Sequence, residues 1–129
     1  MRNLKILVAD DDRVHVHLVS SRLGARGFEV LVAFDAMQAW ASAVREHPDA
    51  IVLDIQMPAG TGLEVLKRLR LSSRTSHIPV VVLTGSMKPH EAGKVRELGA
   101  AEFLQKPVDM EQLHRVLCQL LGTPVEAVP

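Results

Sequence analysis

The sequence predicts an α/β domain built on a five-stranded parallel sheet with helices on both faces. Two observations predict it. Short apolar runs alternate with helical patterns five times along the chain, and several of those runs are nearly continuous Val, Ile and Leu. Strands covered on both faces read as continuous apolar runs rather than alternating ones. Strict alternation of strand and helix then implies right-handed crossovers that distribute the helices over the two faces.

The first strand spans 4–9 (Leu-Lys-Ile-Leu-Val-Ala) and is followed by a helix near 13–24 that Gly27 ends. The second strand, 28–33, leads into a helix at 36–46, where Trp40 beside Met37, Ala43 and Val44 reads as packing against the sheet. The third strand is Ala50–Asp54, then a turn containing Pro58 and Gly60-Thr61-Gly62, then a helix at 62–71. The fourth strand is Val80–Thr84, with a helix at 89–98 that has Pro89 in its first turn and Gly99 at its end. The fifth strand is Glu102–Gln105. In the last helix, 110–121, Leu113, Val116, Leu117, Leu120 and Leu121 follow the i, i+3, i+4, i+7, i+8 spacing of one apolar stripe. Asp109 is its N-cap and Gly122 its stop. Residues 1–122 read as one domain and 123–129 as a tail or linker stub.

Composition narrows the class. A chain of 129 residues, 47% hydrophobic and 23% charged, suits one globular domain with a real core. Lys plus Arg and Asp plus Glu balance at 15 each, so no global field draws nucleic acid or a membrane. The single cysteine, Cys118, excludes an internal disulfide and reads as helix core in a reducing cytosol. No segment has the length of a membrane span or the pattern of a signal peptide. The expectation is a cytoplasmic domain. The six histidines read as surface residues, with His15 and His17 two apart on a helix and pointing to different faces.

The chemistry concentrates at strand ends. The first strand runs into Asp10-Asp11-Asp12, three carboxylates that repel one another and that fold stability does not require. Two readings fit: a site for a hard cation, or one acid capping the next helix with the others solvated. Asp12 reads as that cap. In an open parallel sheet, ligands bind beyond the carboxyl ends of the strands. Those ends carry Asp10 and Asp11, Asp54, Thr84 and Lys106, far apart in sequence but directed to one edge. Taken singly, Asp54 could cap a turn, Thr84 could be an ordinary β-branched strand residue and Lys106 a solvated loop lysine. Together they match what phosphoryl chemistry needs. Carboxylates hold Mg²⁺, a carboxylate can itself attack a phosphoryl group, and a lysine and a hydroxyl stabilise charge on the equatorial oxygens. There is no Gly-x-x-x-x-Gly-Lys loop, so ATP bound by this chain is not the expected donor.

At this point the sequence resembles the receiver domain of two-component response regulators, over residues 4–121. The carriers are Asp10-Asp11, Leu53-Asp54-Ile55-Gln56-Met57-Pro58 followed by Gly62, Leu83-Thr84-Gly85, Gly99-Ala100, Phe103 and Lys106-Pro107. The resemblance implies a flavodoxin-like, doubly wound sheet of order 2-1-3-4-5. It makes Asp54 the phosphoacceptor and places Mg²⁺ on Asp11 and Asp54, with Asp10 acting through water and Gln56 offering its backbone carbonyl. It makes Lys106 the partner of the acceptor, Thr84 the hydroxyl that moves onto the phosphoryl group, and Phe103 the aromatic that follows it. A phenylalanine there lacks the hydroxyl that a tyrosine would offer. Gln56 and Ser86 fall where the family tunes phosphoryl lifetime, and the Lys106–Pro107 bond is expected to be cis.

The implied function is a phosphorylation-dependent switch whose output face is helix four, strand five and helix five. Its partners would be a sensor histidine kinase or phosphotransfer protein and a downstream effector or output domain, and a phosphorylation-dependent homodimer is compatible. It would catalyse its own phosphorylation and dephosphorylation without acting on an external substrate. An unphosphorylated interaction module of the same fold is the alternative, and intact Asp10, Asp11, Asp54, Thr84 and Lys106 count against it. A flavin or nucleotide protein is disfavoured because acids after strand one would repel a cofactor phosphate.

Overall fold

Successive side chains of a strand point to opposite faces, and here both sets are apolar because both faces are covered. This computed structural model describes residues 3–57, 62–85 and 89–124, with backbone only over 89–91. The turn at 58–61, Ser86, the His90 side chain and the tail from 125 lie outside the described residues. The strands are β1 (Lys5–Ala9), β2 (Glu29–Ala33), β3 (Ala50–Asp54), β4 (Val80–Thr84) and β5 (Glu102–Gln105). They alternate with α1 (Arg13–Ala25), α2 (Ala36–Glu46), α3 (Gly62–Leu71), α4 (Pro89–Glu97) and α5 (Met110–Leu121). All pairings are parallel, in the order β2-β1-β3-β4-β5.

One face of the sheet presents Leu7, Ala9, Ile51, Leu53, Val80 and Val82 to α2, α3 and α4, which bury Ala39, Ala43, Val65, Leu66, Leu69 and Val95 there. The opposite face presents Ile6, Val8, Val52, Val81, Leu83 and Leu104 to Val19 and Leu23 of α1 and Leu113 and Leu117 of α5. Each strand therefore feeds two cores through period-two alternation. Cys118 is buried, as its helical setting suggested. No described helix is long and apolar enough to cross a membrane.

The caps behave as their chemistry requires. Asp12 accepts from the backbone N–H groups of Val14 and His15, and Asp109 from those of Glu111 and Gln112, satisfying donors that a helix start leaves unpaired. Gly122 closes α5 at φ 66°, a left-handed conformation that suits glycine. Element ends differ from expectation by a residue: β1 and β2 start one later, α1 runs on to Ala25, and α4 stops at Glu97. The Lys106–Pro107 bond is cis.

Three side chains depart from the sequence reading. Met37 is 81% exposed and does not join Trp40, which packs on the core edge beneath the Arg68 guanidinium of α3, 4.2 Å from the ring centroid. His114 is buried, not on the surface. Its Nδ1 lies 2.6 Å from an Arg26 guanidinium nitrogen and its Nε2 3.4 Å from Cys118 Sγ, a polar tie between the end of α1 and α5. Burial, then the Arg26 charge, lowers its pKa. His15 is the third, and it belongs to the site.

Candidate functional site

The strand order reverses between β1 and β3, and at such a point the carboxyl ends of neighbouring strands open a crevice. The ladder runs on past the strand ends and carries the chemical residues with it. Asp10 N donates to Ala33 O at 3.1 Å, Ile55 N to Leu83 O at 3.2 Å, and Lys106 N to Thr84 O at 2.7 Å. Residues from four separate strand ends thus reach one place by backbone register.

Asp10, Asp11 and Asp54 bring carboxylate oxygens within 4.8 Å of one another. Asp10 and Asp54 are buried and Asp11 is exposed. Lys106 Nζ donates to Asp54 Oδ2 at 2.9 Å and to Asp10 Oδ2 at 3.3 Å. The backbone N–H of Gln56 donates to Asp54 Oδ1 at 2.9 Å, so both oxygens of Asp54 are oriented. Burial raises the Asp10 pKa, and neighbouring Asp54 adds to the rise, while hydrogen bonds from Asp12 N–H and His15 oppose it. Burial alone would depress the Lys106 ammonium, but contact with Asp54 and Asp10 outweighs it and the net shift is upward.

Thr84 is buried at the end of β4, on the same edge. The Gln56 side-chain Oε1 accepts from Gly85 N at 3.1 Å. Phe103 stands apart from the acid cluster. It pairs with Val82 in the β4–β5 ladder, packs half-buried on the core beneath α4, and has the Arg96 guanidinium 4.8 Å from its ring centroid. Gly62 sets the shape of the loop beyond Asp54. A Cβ there would lie 2.5 Å from both the Asp54 carbonyl oxygen and Ile55 Cα, backbone atoms that yield only at a cost.

One site neighbour escaped the sequence reading. His15 Nδ1 lies 2.5 Å from Asp10 Oδ2. The signal was available: with Asp12 as N-cap, His15 falls in the first turn of α1, and helical side chains lean back toward the N-terminus, here toward the strand end.

Three carboxylates face one ammonium, and the donor set is all oxygen. An uncompensated buried acid pair is costly, and a hard divalent cation relieves it, so the residues fit Mg²⁺. Asp11, exposed and without a hydrogen-bond partner among the described residues, has its oxygens open.

Comparison with known proteins agrees with this fold. Residues 6–117 match the family of response regulator receiver domains. The chain is 40% identical over 105 residues to the response regulator PleD of Caulobacter vibrioides, covering 81% of this chain and 23% of that protein. It is 32% identical to the chemotaxis protein CheY4 of Vibrio cholerae, with a TM-score of 0.88, covering 93% of this chain and all of that one (100%). It is 25% identical, with a TM-score of 0.86, to the receiver domain of the sensor histidine kinase PA1611 of Pseudomonas aeruginosa. That match covers 95% of this chain and 100% of the other, whose structure has a magnesium ion coordinated in its active-site cleft.

Proposed function

The chain belongs to the response regulator receiver family, whose members serve phosphorylation-based two-component signalling, and on that premise we propose that Asp54 is its phosphoacceptor. The observation that carries this reading is the Lys106–Asp54 pair at 2.9 Å inside the three-carboxylate cluster. A Gln56 N–H on one oxygen and Lys106 on the other hold the acceptor carboxylate in one orientation toward the crevice.

The donor is a phosphohistidine on a partner kinase or phosphotransfer protein. An Asp54 oxygen attacks phosphorus, the new O–P bond forms as the N–P bond breaks, and the imidazole departs with that bond's electron pair. Lys106 passes from the Asp54 carboxylate to the phosphoryl oxygens, and the Thr84 hydroxyl donates to another of them. Asp11 and Asp54 would hold Mg²⁺ directly, with the Gln56 carbonyl, and Asp10 through water. Bound there, the ion would supply positive charge for the transferred group.

Output follows from differential contact. A phosphoryl group rewards Thr84 only when its hydroxyl turns inward, and the space so vacated is taken up by Phe103. The face of α4, β5 and α5 then meets a downstream effector, an output domain or a second copy. Amide exchange tests this: the Mg²⁺–beryllofluoride form, a mimic of the phosphoryl aspartate, should change protection across residues 84–121 relative to the apo protein. Changes confined to the loop after Asp54 would reject the switch.

A further inference from the structure

We propose that His15 is a positioning residue for phosphoryl transfer, tying the Asp10 carboxylate to the start of α1 and so reserving Lys106 for Asp54. The proposal deepens the reading of Asp54 as acceptor and rests on it. A closed ring of three hydrogen bonds carries it. Asp12 N donates to Asp10 Oδ1 at 3.0 Å, His15 N donates to Asp12 Oδ1 at 3.2 Å, and His15 Nδ1 reaches back to Asp10 Oδ2 at 2.5 Å. The N-cap of α1 and the second acid of the buried pair are therefore one structure.

The distances rank the partners of Asp10 Oδ2. An ammonium hydrogen bond to a carboxylate has its best length near 2.7–2.9 Å. Lys106 meets that with Asp54 at 2.9 Å but not with Asp10 at 3.3 Å, whereas His15 lies at 2.5 Å. His15 is thus the principal partner of Asp10, and Lys106 that of Asp54. Asp10 Oδ2 is an acceptor here, already facing the ammonium, so the proton of the His15 contact sits on Nδ1. Without the imidazole, the nearest donor to Oδ2 is Lys106, whose flexible stem lets it move. Two consequences follow together: Asp54 sheds the ammonium that competes with a cation for its oxygens, and the transferred group loses the lysine that should meet it at the acceptor. Cation binding and phosphoryl acceptance should then move in opposite directions, which a general loss of structure would not produce.

The test compares wild type with His15→Ala and His15→Asn, whose side-chain amide nitrogen occupies the place of Nδ1. Calorimetry gives the Mg²⁺ dissociation constant, and intact-mass spectrometry gives the rate of labelling by acetyl phosphate at saturating Mg²⁺. His15→Ala should bind Mg²⁺ at least as tightly as wild type yet label about fivefold more slowly, the worth of one hydrogen bond of about 1 kcal/mol. His15→Asn should recover most of the rate. Unchanged labelling in His15→Ala, Mg²⁺ binding weakened in parallel with labelling, or no recovery in His15→Asn would each overturn the proposal. If wild type takes no label at all, the acceptor reading fails separately. The His15 ring spectrum then decides the contact: a hydrogen-bonded Nδ1 proton that Asp10→Ala abolishes supports it, and its absence in wild type overturns it.

Discussion

Lys106 Nζ sits 2.9 Å from Asp54 Oδ2 and 3.3 Å from Asp10 Oδ2, although the two acids lie 52 and 96 residues away in sequence. One ammonium serves two buried carboxylates with a third beside them, which leaves the cluster short of positive charge. That shortage gives the site its capacity for a cation and for a transferred phosphoryl group, and it is held by the fold at a cost in stability.

The first prediction separates the three consecutive acids. Asp12 is committed to capping α1, while the Asp11 carboxylate joins the cluster. Asp11→Ala should weaken Mg²⁺ binding by more than about tenfold. Asp12→Ala should cost about 1 kcal/mol of stability and leave cation affinity close to wild type. A calorimetric titration with Mg²⁺ and a thermal melt of each variant check both halves.

The second prediction concerns pH. The folded pKa of Asp10 is raised, first by burial. Its contribution to stability is therefore complete below the ordinary value of 3.8 and is lost as pH rises through the raised folded value, so at neutral pH the ionised carboxylate is a net cost. Asp10→Asn keeps the shape and the acceptor oxygen for the Asp12 N–H while removing the charge, and turns an amide NH2 toward His15 Nδ1. Without metal, its melting temperature should exceed that of wild type at pH 7, and the gap should close as the pH falls toward 3.8. Lys106 acts in another window: its raised pKa sustains stability below 10.5 and surrenders it at higher pH.

Gly62→Ala is the third. The added methyl would meet backbone at 2.5 Å, so the chain carrying Asp54 must shift. A loss of about 2 kcal/mol is expected from this overpacking. Chemical denaturation measures it, and labelling of Asp54 should slow as well.

The sheet was legible because parallel strands buried on both faces leave continuous apolar runs, and each chemical residue sat one step past such a run. Asp10, Asp54, Thr84 and Lys106 could be placed on one edge from that rule alone. The histidines were not legible in the same way. His114 is buried because Arg26, 88 residues distant, supplies its partner, a pairing no local pattern encodes. His15 could have been found, since the cap read at Asp12 puts it in the first turn of α1, where a side chain leans back toward Asp10. The end of α2 fell where the sequence placed it, although His47 and not a glycine closes it, in a left-handed turn at φ 48°.

The measurement that bears most directly on the account is phosphoryl labelling of wild type and Asp54→Asn by acetyl phosphate, read by intact-mass spectrometry with and without Mg²⁺. The variant keeps the size and shape of the acceptor side chain and removes its anionic nucleophile. Wild type should gain one phosphoryl group only when Mg²⁺ is present, and Asp54→Asn should gain none. Equal labelling of the two proteins, or labelling of wild type that ignores the metal, would contradict the assignment of Asp54 and the role given to the carboxylates around it.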